Sequence, residues 1–466
     1  MSQPSILLSK SKRIMVQIGC ICLILTIQMF GLTLSTLQSP ILKSMNAMQY
    51  FSIVSIVTFL GLSIMTPIGG KLGDLLGRRN LVFIAGIICT ISGIGISISQ
   101  SIIPFLISVL FLGVGMGSFI SVPYILAREV NEAKDVPKIM GMLSSALAGG
   151  GLLGGIIAGF LADLGYLRLG ILVPLIPLIL GVLLIVLNLP NIKREGKVSI
   201  DVKGVILLVI TIVLILLPLN LAGKMGLLNV KVIVPLLIGI LFLFIFVKAE
   251  NKVEDPIIPM HLFENKSYVL LLVIGFICYF YLNTINIYAP SAVINVLGKS
   301  KAAAGSLQLA RTILTIVLPV FVGTWISKRK SNYWRAMIIA TLFVAIPMIG
   351  LSFTSQNTSL IFYIVMISIT GIAESFRAVS ITPSAQSYLD SKDLGVGTSL
   401  LNFINTLSGL IAALVFGMVY DLKTKANPQD VINIMHGVNL VYLTAAIVTA
   451  FGLIIVIFAV KKLFKD

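Results

Sequence analysis

Three ionisable side chains lie deep inside apolar segments of this sequence. Glu374 is near the middle of segment 359–385, and Arg377 follows three residues later, on about the same face of a helix. Arg311 lies about nine residues into segment 303–327, at a similar depth if each residue rises 1.5 Å. A charge in apolar surroundings is costly unless it is paired or hydrated, so each of the three is a candidate functional group.

The chemistry open to these groups is the binding of a proton or a cation. We expect Glu374 to pair with Arg311 or Arg377, and to bind a proton, a cationic substrate, or both. The alternative interpretation is a permanently ionised bridge that holds two helices together. Arg377 could also extend its long side chain to the aqueous surface.

Hydroxyl and amide side chains in other apolar segments are weaker candidates. Tyr281, Thr284 and Tyr288 fall on one helical stripe. Amides in apolar surroundings need partners, so they are expected to face the protein interior or a substrate cavity. Aromatic and amide groups together suit an amphipathic organic compound, although each residue alone is better explained by ordinary helix packing. The amide candidates are Gln28, Asn283, Asn286, Gln308, Asn402 and Asn405.

Residue types needed for other chemistries are sparse. The two histidines, His261 and His436, are far apart, and the four cysteines all lie in apolar segments, so we predict no metal site and no cofactor. The phosphate-binding pattern G-x-x-x-x-G-K-[ST] is absent, which disfavours an ATP-driven pump in this chain. No set of nucleophile and base indicates an enzyme.

Composition places all these residues in a membrane protein. Of 466 residues, 58% are hydrophobic and 11% are charged, against about 25% charged in a soluble protein. A span needs about 20 mostly apolar residues, which predicts an all-α protein with fourteen spans joined by short loops. The predicted spans are 14–37, 47–70, 80–99, 102–126, 138–162, 169–189, 203–222, 230–249, 267–290, 303–327, 335–354, 359–385, 396–420 and 437–460.

The net charge of +17 is expected to reflect basic cytoplasmic loops and not nucleic-acid binding. With a cytoplasmic N-terminus, most of the 34 Lys and Arg fall in cytoplasmic joins, among them Lys193, Arg194 and Lys197. This bias predicts that both termini are cytoplasmic, and therefore that the number of spans is even.

The join between the second and third spans carries a glycine-rich basic motif, Gly70-Lys-Leu-Gly-Asp74-Leu-Leu-Gly77-Arg78-Arg79. Glycine allows close helix approach and tight reversal, and Asp74 can pair with a basic residue or cap a neighbouring helix. The motif resembles the loop signature G-x-L-x-D-x-x-G-R-R of the major facilitator superfamily. In that family it latches the two halves of the transporter in the outward-facing state.

The fifth span carries a second glycine motif, with Gly150, Gly151, Gly154 and Gly155 in close succession. It resembles the G-P-x-x-G-G signature of facilitator antiporters, with Gly151 at the usual position of proline. Glycines at this spacing also make a flat face for ordinary helix packing, which is the alternative explanation.

The predicted number of spans, fourteen, is similar to that of the drug:proton antiporter branch of this superfamily, which contains multidrug and tetracycline exporters. That resemblance implies a six-helix bundle over 1–190, two inserted helices with linkers over 191–265, and a second six-helix bundle over 266–466. Three further segments are similar to that branch: 201–204, 395–402, and 254–263, which begins at Glu254 and Asp255.

The resemblance implies an exporter of amphipathic drugs, cationic compounds among them, and we expect the protein to be a monomer. It implies proton antiport by alternating access, antibiotic resistance and a location in the bacterial cell membrane. Two family positions differ here: Gly31 stands where an Asp is usual, and Val109 where an Arg is usual. Both are family candidates for proton coupling, so the titrating group must lie elsewhere. The alternative is a facilitator of a lipid-like or endogenous metabolite, with different or no proton coupling.

Overall fold

The apolar segments of the sequence form long α-helices. The computed structural model describes residues 6–192, 201–226, 229–253, 256–424, 427 and 430–464, and within these residues it contains helices, turns and no β-strand. The helices are α1 Lys10–Ser44, α2 Phe51–Leu76, α3 Arg78–Ile98, α4 Ile102–Glu129, α5 Val136–Asp163, α6 Leu167–Asn188, α7 Val202–Met225, α8 Val230–Glu250, α9 Lys266–Asn295, α10 Lys301–Ile326, α11 Asn332–Leu351, α12 Leu360–Ser387, α13 Leu394–Thr424 and α14 Val431–Leu463.

Helix length and composition agree with the predicted membrane spans. Within the described residues, thirteen helices are long and apolar enough to cross a membrane, all of these except α2. The helix α2 has 26 residues, which at 1.5 Å per residue also exceeds the roughly 30 Å of a hydrocarbon core. The prediction of an all-α protein with about fourteen spans is confirmed. The cytoplasmic position of both termini stays a prediction.

The chain divides into two compact units. The first contains Met1–Leu217, Leu237–Leu262 and Leu389–Phe403, and the second contains Pro218–Leu236, Phe263–Tyr388 and Ile404–Asp466. The predicted boundaries at 190 and 265 stay a prediction. Several residues used for them and for the charge bias, among them Lys193, Arg194, Lys197, Glu254 and Asp255, lie outside the described residues.

Glycines allow close contact between α2 and α4 in the first unit. A Cβ atom added at Gly61 of α2 would lie 2.6 Å from the carbonyl oxygen of Leu110 in α4. The α4 glycines Gly113 and Gly117 face the α2 backbone in the same way, at Thr58 and Leu62. Without side chains at these positions the two backbones pack directly against each other, as is typical of helices in membranes.

The helix α9 is not the continuous helix that we predicted over 267–290. A regular helix ends at Phe280, a wider π-helical turn follows over Thr284–Tyr288, and a short α-helix begins at Ala289. Pro290 explains the wider turn, because it has no N–H to donate and its ring would clash with the preceding turn. The N–H of Ala289 instead donates to the carbonyl of Thr284, five residues back. Such turns often mark functional sites.

Candidate functional site

Glu374 and Arg377 form an ion pair on α12, in the second unit. Arg377 Nε donates to Glu374 Oε2 over 2.9 Å, and Arg377 Nη2 donates to Glu374 Oε1. The two side chains are only 14% and 8% exposed. The paired, bidentate geometry offsets part of the cost of burying both charges.

Aromatic side chains of α9 surround this ion pair. The hydroxyl of Tyr281 donates to Glu374 Oε2 over 3.4 Å, and Tyr281 is itself buried. The Arg377 guanidinium carbon lies 4.0 Å from the ring centroid of Tyr279, close enough for a cation–π contact. Glu374 and Arg377 are therefore enclosed by protein groups, and Arg377 does not extend to an aqueous surface.

Arg311 of α10 takes a different partner from the one we considered. Its Nε donates to the hydroxyl of Thr370 on α12, over 3.3 Å. Its positive charge nevertheless acts on Glu374, so the carboxylate lies in the field of two arginines. Close packing of α10 on α12 brings these groups together, because a Cβ atom at Gly371 would meet the Arg311 backbone.

The predicted polar residues of α9 are engaged in separate contacts. Asn283 donates to the carbonyl of Gly409 over 2.6 Å, and Thr284 is fully buried against Met348. Asn286 is exposed and accepts a long hydrogen bond from Gln308, at 3.5 Å.

The remaining aromatic and amide candidates lie in both units. Tyr288 packs against Phe416 and Tyr420 of α13 in the second unit. Asn405, in the same unit, is buried, and its Oδ1 has no hydrogen-bond partner. In the first unit, Asn402 donates to Ser121 Oγ over 3.0 Å. Such single contacts are also what helix packing produces.

The motif between α2 and α3 forms a buried ionic cluster in the first unit. Arg78 contacts Asp74 at 2.6 Å and Glu129 at 3.6 Å. Asp74 also lies beside Gly395, in the first turn of α13. Asp74 therefore both pairs with a basic residue and lies at the positive N-terminal end of a helix, the two roles that its residue type allows.

The glycines of this motif have distinct structural reasons. A Cβ atom at Gly70 would lie 2.6 Å from Ser399 Oγ, so Gly70 permits the close contact with α13. Gly77 has a φ of +83°, a backbone conformation that favours glycine. Arg79 is half-buried, and its Nε has no hydrogen-bond partner.

The glycines of α5 pack against α1. Gly150 and Gly154 face the carbonyl oxygens of Leu25 and Met29, and the hydroxyl of Thr33 donates to the carbonyl of Gly154. Gly151 and Gly155 have looser surroundings, which in the case of Gly151 include the side chain of the candidate Gln28. Half of this glycine set is therefore needed for close approach of two backbones.

Sequence reasoning missed several partners of the candidate residues. They are Glu129 for Arg78, Thr370 for Arg311, Ser121 for Asn402, and Asp393, which lies 2.8 Å from His261. Each belongs to a different helix or loop from its partner, and no spacing rule connects them. In the described part of the chain, no group of three or more His, Cys, Asp or Glu is arranged to hold a metal ion.

In the described residues, fourteen long helices, thirteen of them long and apolar enough to span a membrane, carry buried charged and amide groups; they define a polytopic membrane protein of the kind that moves small molecules across a bilayer. The chain belongs to the Major Facilitator Superfamily, whose sequence pattern matches residues 19–413 and, in a second match, residues 271–464. Membership in this family indicates a transporter and not an enzyme.

Two curated relatives and one solved structure illustrate the similarity. The multidrug transporter protein MdtP of Bacillus subtilis is 23% identical over 425 residues, which cover 89% of this chain and 76% of that protein. The riboflavin transporter RibZ of Clostridioides difficile is 23% identical over 407 residues, covering 85% and 86%. The crystal structure of the human organic anion transporter MFSD10 has a TM-score of 0.65 at 15% identity, and covers 96% of this chain and 100% of that one. That last likeness concerns the fold alone.

Proposed function

We propose that this protein is a secondary active transporter that exports amphipathic organic compounds in exchange for protons. The observation that carries the proposal is the buried position of Glu374. In the described part of the chain, every other Asp and Glu lies in the last turn of a helix or outside the helices. Among the residues that the structure describes, Glu374 is thus the single carboxylate deep within a helix, where an ionisable group is a functional candidate by default.

The geometry suggests how a proton acts at Glu374. The ionised carboxylate accepts hydrogen bonds from Arg377 and Tyr281. A proton on Glu374 removes the negative charge and weakens the hold on Arg377, so the site has a paired and an unpaired state. A transporter can use such a two-state element when the proton and the substrate favour opposite states. A cationic substrate would compete with the proton for the same carboxylate.

The relatives support the class of substrate. MdtP is named as a multidrug transporter. Aromatic and amide side chains of α9 and α13, such as Tyr288, Asn286 and Asn405, offer apolar faces with hydrogen-bonding groups. We propose that they contact substrate during alternating access, and that Gly70 to Arg79 stabilises the outward-facing state. We also propose a monomer in a bacterial plasma membrane.

A second candidate is a facilitator of an endogenous metabolite with different or no proton coupling. Two observations favour it. The carboxylate of Glu374 is already bound on both oxygens by Arg377, as in a permanent structural bridge. In addition, one relative is named as a riboflavin transporter.

Ethidium efflux from cells that express the protein separates these candidates. We expect efflux that a protonophore abolishes and that Glu374→Gln reduces to the level of an empty vector, because the amide cannot bind and release a proton. Glu264→Gln is the matched control, since Glu264 is an exposed carboxylate between α8 and α9.

The other outcomes each contradict a part of the proposal. Protonophore-sensitive efflux that survives Glu374→Gln would retain the exporter and reject Glu374 as the coupling site. Absence of efflux, with the protein shown to be in the membrane, would reject drug export and favour the metabolite transporter.

A further inference from the structure

Two carboxylates meet beside Gly204, near the start of α7 in the first unit. Asp201 directly precedes α7, and Glu250 is the last residue of α8. A Cβ atom added at Gly204 would contact Glu250 Oε1, and would lie 2.5 Å from Asp201 Oδ2. The two oxygens therefore point to the same small space, which a larger residue at position 204 would fill.

Both of these oxygens lack hydrogen-bond partners although they are buried. Glu250 is only 1% exposed. Its other oxygen, Oε2, accepts the N–H of Ile258 over 2.9 Å, but Oε1 has no partner, and neither has Asp201 Oδ2. A buried acceptor without a partner is costly, and two ionised carboxylates side by side also repel each other. A single proton would remove both penalties, because a protonated carboxyl can donate to a neighbouring carboxylate.

The surrounding charges also favour one proton. Lys71 of α2 is 4% exposed, and its charge acts on Glu250. Lys71, Glu250 and Asp201 together have a net charge of −1 when all are ionised, so one proton makes the buried group neutral. Lys71 and Glu250 line a cavity of about 330 Å³ that is also lined by three charged or titratable side chains, His261, Lys392 and Asp393.

A metal ion fits this place less well than a proton. Hard cations such as Mg²⁺ and Ca²⁺ bind six or more oxygen ligands, whereas the described atoms nearest to a Cβ at Gly204 supply two carboxylate oxygens. The ammonium group of the nearby Lys71 would also repel a cation.

We propose that Glu250 and Asp201 share one proton and form a proton-binding site at the ends of α7 and α8. This site is separate from Glu374 and does not depend on the proposed transport activity. Loss of the proton leaves a buried negative charge near Lys71, which follows directly after Gly70 in the motif between α2 and α3. The protonation state of the site therefore sets the charge that faces this motif.

Infrared spectroscopy of the purified full-length protein tests the proposal, because a protonated carboxyl group has its own C=O stretching band. We expect a band at neutral pH that disappears at alkaline pH and is missing in both Glu250→Gln and Asp201→Asn. Glu264→Gln is the control and should retain it. Glu250→Gln should fold, because its amide oxygen can accept from Ile258 while its NH₂ donates to Asp201.

Three results would overturn the proposal. A band that persists in both variants belongs to other groups, and a band lost in Glu250→Gln but kept in Asp201→Asn shows that no proton is shared. A band that Na⁺ removes at constant pH indicates a cation site. If Glu250→Gln does not fold, Asp201→Asn alone decides. Since no transport is measured, these outcomes are independent of the ethidium experiment.

Discussion

Replacement of Gly150 by Ala is expected to destabilise the packing of α5 on α1. The added methyl group would contact the carbonyl oxygen of Leu25, and would lie 3.0 Å from both Leu25 C and Leu25 Cα. These are backbone atoms and cannot rotate away as a side chain would. The helices must therefore separate locally by about 1 Å to restore ordinary van der Waals distances.

The size of this effect follows from two opposing contributions. Overpacking in a close contact costs roughly 1–3 kcal/mol. Replacing Gly by Ala within a helix recovers up to about 1 kcal/mol through helix propensity. Gly149→Ala is the matched control, because a Cβ atom at Gly149 has no neighbour within 4 Å. Gly149→Ala should leave stability unchanged or raise it, and the two variants should differ by about 2 kcal/mol.

Thermal unfolding with a thiol-reactive fluorescent dye is a suitable assay. The four cysteines are free, three of them are buried, and Cys22 is half-buried, so they become reactive when the helices separate. We expect Gly150→Ala to melt below the wild type, and Gly149→Ala to melt at or above it. Equal melting temperatures for the two variants would refute the explanation that Gly150 is needed for backbone contact with α1.

Three further substitutions test other parts of the structure through the melting temperature. Asp74→Asn should lower the free energy of unfolding by about 3 kcal/mol, because it breaks a buried ion pair. Glu132→Gln removes an exposed ion pair and should have no measurable effect on the melting temperature. Equal effects of the two substitutions would contradict this prediction. Gly77→Ala should lower the free energy of unfolding by roughly 2 kcal/mol, since a φ of +83° strains a residue with a Cβ atom. An unchanged melting temperature would show that this backbone conformation is not required. Tyr281→Phe should cost about 1 kcal/mol through the lost hydrogen bond to Glu374, and a stabilised variant would count against that bond.

Helix positions could be predicted from the sequence because each span needs an apolar run of fixed minimum length. The Glu374–Arg377 contact follows from helical spacing, because residues three apart lie on about the same face. Asp74 was predicted to meet a basic residue or a helix N-terminus, and it meets both. These features depend on local sequence, where period and residue type carry the information.

Long-range contacts could not be predicted in the same way. Arg311 and Thr370, which form a hydrogen bond between α10 and α12, are 59 positions apart in the sequence. No periodicity in the sequence fixes the rotation of one helix against another. The break in α9 was missed because its residues are apolar, aromatic and amide types that suit a continuous helix. Pro290 was the available signal, since proline removes a backbone donor.

Proton flux in proteoliposomes tests the central proposal most directly. The purified protein is reconstituted with a pH-sensitive dye inside the vesicles, a pH gradient is imposed, and ethidium is then added. Proton exchange through Glu374 predicts that ethidium accelerates the collapse of the gradient in the wild type and in Glu264→Gln, and that Glu374→Gln shows no acceleration. Ethidium transport without any change in proton flux, or an unchanged response in Glu374→Gln, would contradict the proposal.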